Sequence, residues 1–284
     1  MTEISRRNFV KTTAGLSLAG MAGMGGVMNA FSAPRKITKY GVNLYTVRHL
    51  VIENMPRTME QIAEIGYHEV EGLIYVGPTV KQFRKALDDT GLKCVSRHMD
   101  PIQLETETLK QFIEDAHTIG QKYLILGWIP PEGRLHLDQY KSLIEKMNMA
   151  SHMCKDAGIQ FGYHHHEFEF IEMDGVVPFD LILSQTDPEL MKIEMDFYWM
   201  AYAGQDPLKM YDRYPGRFPM CHIKDMDEKK WFADVGKGTI DFERNLSRVD
   251  HAGFEHFFVE HDEPTDPLET IRYGLNSVKN LTIG

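Results

Sequence analysis

Four short segments in the second half of the chain end in side chains that can bind a divalent cation or move a proton. They are Tyr163-His164-His165-His166-Glu167-Phe168-Glu169, Glu194-Met195-Asp196, Cys221-His222-Ile223-Lys224-Asp225 and Glu260-His261-Asp262, and each follows an apolar or β-branched run. Imidazole nitrogen and carboxylate oxygen together suit a hard or borderline divalent ion, so His164, Asp196, His222 and Glu260 are the expected ligands. One such residue beside a strand is ordinary loop chemistry. Four coincident strand ends, 32, 26 and 38 residues apart, point to one site that only a closed fold could assemble. Earlier segments add Tyr45, Arg48, Glu71 and His98. Strand alternation puts Lys224 on the face of His222, where it would reach substrate; the plainer reading is a helix-capping Lys224-Asp225 pair. Trp199 is the expected apolar platform for a sugar face, with Tyr198 and Trp128 as further aromatics. Glu71 and Glu194 read also as structural acids paired with Arg or Lys.

The elements that must position these residues alternate. Strands are expected at 40–44, 68–71, 93–98, 123–127, 160–164, 192–196, 218–223 and 257–261, each followed by a stretch with apolar residues at helical spacing. Gly66, Gly91, Gly120, Gly158 and Gly253 close helices shortly before the next strand. Eight such units in about 250 residues match an α/β (β/α)₈ TIM barrel. An open nucleotide-binding sheet is a poorer fit, because no Gly-x-Gly-x-x-Gly or phosphate loop follows the first strand. No Pro-, Gly- or Ser-rich linker divides the units, so one domain is expected over residues 37–284, with a short sixth helix near Pro207 to Tyr214.

The 284 residues carry 41 acidic and 31 basic side chains, a net charge of -10. Ser5-Arg6-Arg7-Asn8-Phe9-Val10-Lys11 and the uncharged stretch from Thr12 to Ala33 resemble a twin-arginine (Tat) export signal over residues 1–33, cleaved near Ser32 or Ala33. An uncleaved membrane tether is the alternative. Periplasmic localisation in a bacterium, with the Tat translocase as a partner, is therefore expected. Without this segment 28 basic residues face 40 acidic ones, a charge of -12, which argues against nucleic acid as a partner. Cys94, Cys154 and Cys221 lack a Cys-x-x-Cys spacing and read as buried small hydrophobes.

Together, Gly41-Val42-Asn43-Leu44-Tyr45-Thr46-Val47-Arg48, the His164 and Asp196 segments, Ala203-Gly204-Gln205-Asp206-Pro207, Gly216 to Asp225 and Val235-Gly236-Lys237-Gly238-Thr239-Ile240-Asp241-Phe242 resemble the xylose isomerase-like barrels known as sugar phosphate isomerases/epimerases. The resemblance covers nearly all of the chain after the signal. It implies one divalent metal ion, Mn²⁺ first and Co²⁺, Mg²⁺ or Zn²⁺ as alternatives, held by Asp196, His222 and Glu260. The fourth position departs from the family's glutamate: it is His164 here, with His166 and Glu169 as competitors.

The expected function is an exported isomerase or epimerase that takes a proton α to a sugar carbonyl through a metal-stabilised enediolate. His166 or Glu260 is the base and Lys224 or His98 assists, with Tyr45, Trp199 and Glu169 binding a small carbohydrate. If a β-substituent leaves from the same enediolate, the outcome is a lyase, dehydratase or hydrolase acting on keto-sugars or 3-keto-glycosides. A sugar-binding barrel without chemistry is a third reading. Self-association as a homo-oligomer is left open.

Overall fold

The computed structural model describes residues 34–72 and 79–284. The expected export signal at 1–33 lies outside the described residues. Eight parallel strands close into a barrel: β1 (Gly41–Asn43), β2 (Glu69–Gly72), β3 (Lys93–Met99), β4 (Tyr123–Leu126), β5 (Gln160–His164), β6 (Met191–Asp196), β7 (Met220–Ile223) and β8 (His256–Val259), with β8 pairing β1. Each expected strand is present, its ends within two residues of those read from the sequence.

Alternation along the strands divides two apolar zones. Leu124 and Leu126 of β4 face outward into the large core between strands and helices, whereas Tyr123 and Ile125 join Val95, Met220 and Phe258 in a second cluster that plugs the barrel. Above this plug the inward positions turn polar. Asn43, Glu71, Ser96, Glu194 and His222 are all buried there. An apolar floor beneath a polar layer strengthens every electrostatic interaction made above it.

The helices obey their local signals. Thr79 and Gln82 form a capping box at the start of Val80–Thr90, and Gly66, at φ 111°, ends Arg48–Ile65, which is kinked at Asn54 just before Pro56. The sixth unit has only Phe197–Tyr202 and Pro207–Arg213, as the sequence suggested. At the other end of the barrel Arg35–Lys36 pairs antiparallel with Thr282–Ile283. No helix among the described residues is long and apolar enough to cross a membrane. Cys94, Cys154 and Cys221 are free and buried.

Candidate metal and substrate site at the strand ends

His222 is the hub of the polar layer, and its two ring nitrogens face two different groups. Nδ1 lies 3.2 Å from His164 Nε2, 3.5 Å from Asp196 Oδ2 and 2.9 Å from Glu260 Oε2. Nε2 lies 2.7 Å from Glu71 Oε2, 3.3 Å from Glu194 Oε2 and 3.4 Å from Asn43 Nδ2. Burial alone would lower the pKa of His222, but Glu260, Glu194 and Glu71 together raise it well above the usual range. The carboxylates demand positive charge at this ring.

Local structure aims each of the upper groups. Asp196 ends β6 and caps the next helix, its Oδ1 accepting from Trp199 N–H at 3.0 Å; Oδ2 is left toward His164, 3.4 Å away. His164 ends β5. Glu260 follows β8, and its backbone N–H bonds Ile223 C=O at 3.2 Å. Although these groups approach one another, Asp196 Oδ2 and Glu260 Oε2 are buried without an aligned hydrogen bond among the described residues, and His164 presents Nε2 to Asp196 and His222. Buried lone pairs left unsatisfied are costly. A nitrogen–carboxylate set of this kind fits a divalent ion of the zinc or manganese type, and His164, Asp196 and His222 already lie close enough together to share one.

The deeper group of Glu71, His98, Glu194 and His222 also brings its ligand-type atoms close enough together to share an ion. His98 Nε2 sits 2.8 Å from Glu194 Oε2 and 3.3 Å from Glu71 Oε1. Burial would depress its pKa, yet the charge of Glu71 and the hydrogen bond to Glu194 outweigh this and raise it to about 10. Gly127 makes room for the ring, since a Cβ there would stand 2.6 Å from His98 Nδ1. His166 is the opposite case. Burial, then the charges of His164 and Lys224, push its pKa well below the ordinary value, and its ring is stacked on Phe168 and tilted against Trp199.

Above both groups opens a cavity of about 590 Å³ whose lining includes His98, His164, His166, Lys224 and Glu260, within the range of about 300–1,000 Å³ typical of small-molecule sites. Lys224 Nζ pairs with Asp262 at 2.7 Å and Glu260 at 3.1 Å. Burial works against its charge, but Asp262, Glu260 and Asp196 raise its pKa and keep it cationic. Tyr45, Trp128 and Trp199 supply aromatic walls.

A family model described as Xylose isomerase-like TIM barrel matches residues 59–281. The chain belongs to this family. It is 27% identical over 191 residues to an inosose dehydratase of Geobacillus kaustophilus, covering 60% of this chain and 61% of that enzyme, so it spans less than two thirds of the length of this curated relative. A sugar phosphate isomerase/epimerase of Parabacteroides distasonis superposes with a TM-score of 0.74 at 24% identity, over 85% of this chain and 96% of its own. The IolI protein, solved with a bound zinc atom, does so at 0.68 and 16% identity, over 84% and 96%.

Several sequence expectations change against this geometry. Glu169 does not reach the cavity: it is fully buried and accepts from the Tyr163 hydroxyl and from His166 N–H at 2.9 Å. Burial, opposed by those hydrogen bonds, raises its pKa to about 7. It therefore holds the turn carrying His166, away from the residues that line the cavity. Glu71 and Glu194 pair with His98 and His222, not with Arg or Lys. Lys224 and Asp225 are no capping pair, because they point to opposite sides. Asp225 accepts from the backbone N–H groups of Gly236, Gly238 and Ile240, and a Cβ on Gly238 would strike its carboxylate at 2.3 Å. Tyr198 is buried, its hydroxyl donating to Lys230 C=O, and does not line the cavity. Arg134, which does line it, was not among the residues singled out, and Asp262, which also lines it, was named only as part of the Glu260 segment, with no role of its own. Arg134 lies in a βα loop with no periodic or motif signal; Asp262 follows Glu260 by two and was legible from strand alternation.

Proposed function

We propose that this chain is a metal-dependent lyase of the dehydratase type, acting on a polyhydroxylated ketone of sugar or cyclitol character. The observation that carries the reading is the opposite surroundings of two histidines that both line the cavity: His98 Nε2 lies against the Glu71 and Glu194 carboxylates, which favour its protonated form, whereas His166 packs against Phe168 and Trp199, where burial favours the neutral ring. A pair pushed apart in this way divides the roles of acid and base. His164, Asp196, His222 and Glu260 would hold the divalent ion, with Mn²⁺ and Zn²⁺ as candidates. When bound, such an ion supplies Lewis-acid polarisation of a substrate carbonyl.

The protein's own groups account for the proton traffic. His166 takes the proton from the carbon α to the carbonyl. As the C–H electrons form the new C=C bond, the β C–O bond breaks, and His98, whose Nε2 is engaged by Glu194 and Glu71, donates the proton on Nδ1 to the departing hydroxyl, which leaves as water. Lys224, kept cationic, orients substrate oxygens beside Glu260 and Asp262. Trp199 and Phe168 cover His166 and exclude water from it.

Isomerisation stood first in the sequence reading and elimination second. The relationship to inosose dehydratase supports the second, and a protonated His98 supplies the acid that water loss requires. Mature protein reconstituted with Mn²⁺ or Zn²⁺ should convert a keto-cyclitol such as an inosose to an unsaturated ketone, followed by its ultraviolet absorbance, and lose this on EDTA treatment. Solvent deuterium entering the substrate without water loss would favour the isomerase. Export through the twin-arginine route belongs to the same proposal: replacing Arg6 and Arg7 by Lys should retain the protein in the cytoplasm.

A further inference from the structure

Among the described residues, three Arg and Lys side chains line the cavity, and two of them are engaged. Lys224 is paired with Asp262 and Glu260. The Arg48 guanidinium donates to Tyr45 C=O at 2.9 Å and Asp262 C=O at 2.6 Å, and pairs with Glu263 at 3.2 Å. Arg134, in the loop after β4, has no side-chain hydrogen bond or ion pair among the described residues. Its guanidinium instead lies over the Phe168 ring, 3.4 Å from the centroid, with Trp128 at 5.8 Å.

Stacking of this kind fixes the plane of the guanidinium and leaves its N–H groups radiating in that plane. A planar fork of donors matches a carboxylate with two parallel hydrogen bonds, in a way that a hydroxyl cannot. The charge count sharpens the match. Arg134 supplies a single positive charge on a lining that also holds Glu167, which suits a monoanion better than a dianionic phosphate. We infer that Arg134 forms an anion subsite, and that the substrate is a polyhydroxy-keto acid whose carboxylate docks on Arg134 while its carbonyl lies at the His164–His222 end. This rests on the reading of the cavity as a polyhydroxy-ketone site.

The test is calorimetric binding to mature, metal-reconstituted protein at fixed ionic strength, with D-glucuronate, D-glucose and D-glucose 6-phosphate as probes. Wild-type protein is expected to bind glucuronate at least about tenfold more tightly than glucose, as suits a charge-assisted bidentate pair, and more tightly than the phosphate. R134M should abolish the preference, R134K should keep part of it, and thermal melting should confirm that each variant is folded. Equal affinity for glucuronate and glucose, tighter binding of the phosphate, or an undiminished preference in folded R134M or R134K together overturns the subsite. Water loss from a neutral keto-cyclitol is assayed separately. Its absence alongside a retained glucuronate preference would sink the lyase reading and leave the subsite standing, while normal turnover without any preference would do the reverse.

Discussion

His164 Nε2 and His222 Nδ1 face each other at 3.2 Å inside the barrel, with Asp196 Oδ2 within 3.5 Å of both. Two imidazole lone pairs at that distance repel unless a proton or a metal ion lies between them. The carboxylates of Asp196 and Glu260 make either cation welcome, and a divalent ion satisfies more of the orphaned oxygens than one proton can. Protein purified from its native source should therefore carry close to one equivalent of divalent metal by elemental analysis. H164A or H222A should weaken binding beyond the roughly 10- to 100-fold typical of outer-shell changes, as read by competition with a chromogenic chelator. Unchanged affinity in both variants would rule this centre out.

Glu71 lies behind that centre, on the far nitrogen of His222. A histidine that ligates through one nitrogen is oriented by what the other donates to, and here Glu71 Oε2 accepts from Nε2 at 2.7 Å, which leaves Nδ1 free to ligate an ion. E71Q can hydrogen-bond but holds no charge. Metal affinity is expected to drop by about 10- to 100-fold, with the fold intact by circular dichroism. An E71Q protein that binds metal as tightly as wild type would show that Glu71 serves His98 alone.

The barrel was legible in the sequence because its signals are local and repeat: a β-branched run, a helical spacing and a glycine stop, eight times over. His164, Asp196, His222 and Glu260 were legible for a related reason, since in such a barrel polar residues gathered at the C-terminal ends of several strands mark the site. The roles of Glu71, Glu194 and Glu169 were not. All three are fully buried acids, and their partners, His98, His222 and Tyr163, are set by barrel closure and by a turn whose geometry no spacing rule encodes. Arg134 was missed because its meaning lies in the ionic partner it lacks among the described residues, and that is visible only in three dimensions.

His98 gives the site a pH signature. Its pKa in the folded protein is about 10 against an ordinary 6.5, with burial overcome by Glu71 and Glu194. A raised pKa means the protonated form is stabilised by folding, so its contribution is fully present below about pH 6.5 and is lost as pH rises through about 10. Melting temperature should consequently fall more steeply between pH 7 and 10.5 in wild type than in H98N. Turnover should follow the same upper limb, and H98N should lower it by about 10²- to 10⁴-fold, the usual range for losing a general acid. Parallel melting curves for the two proteins would contradict the assignment. G127A, which forces a methyl against the His98 ring, should reproduce the loss of turnover in part.

His165, between the candidate ligand His164 and the proposed base His166, is fully buried, and its hydrogen bonds fix its tautomer. Asp196 N–H donates to Nε2 at 3.1 Å, so Nδ1 carries the proton and points to His166 C=O at 3.3 Å. Burial lowers its pKa to about 3, and the ring therefore stays neutral while it ties the end of β5 to the end of β6. An asparagine offers the same pair of functions, one acceptor and one donor, whereas leucine offers neither. H165L leaves Asp196 N–H unsatisfied and should cost about 1–3 kcal/mol of stability, together with a loss of metal affinity as Asp196 shifts. H165N should restore part of both, measured by thermal unfolding and chelator competition on the same preparations. If leucine and asparagine behave alike, the ring acts by filling space against Phe170 and Phe179, and the hydrogen bonds do not position the centre.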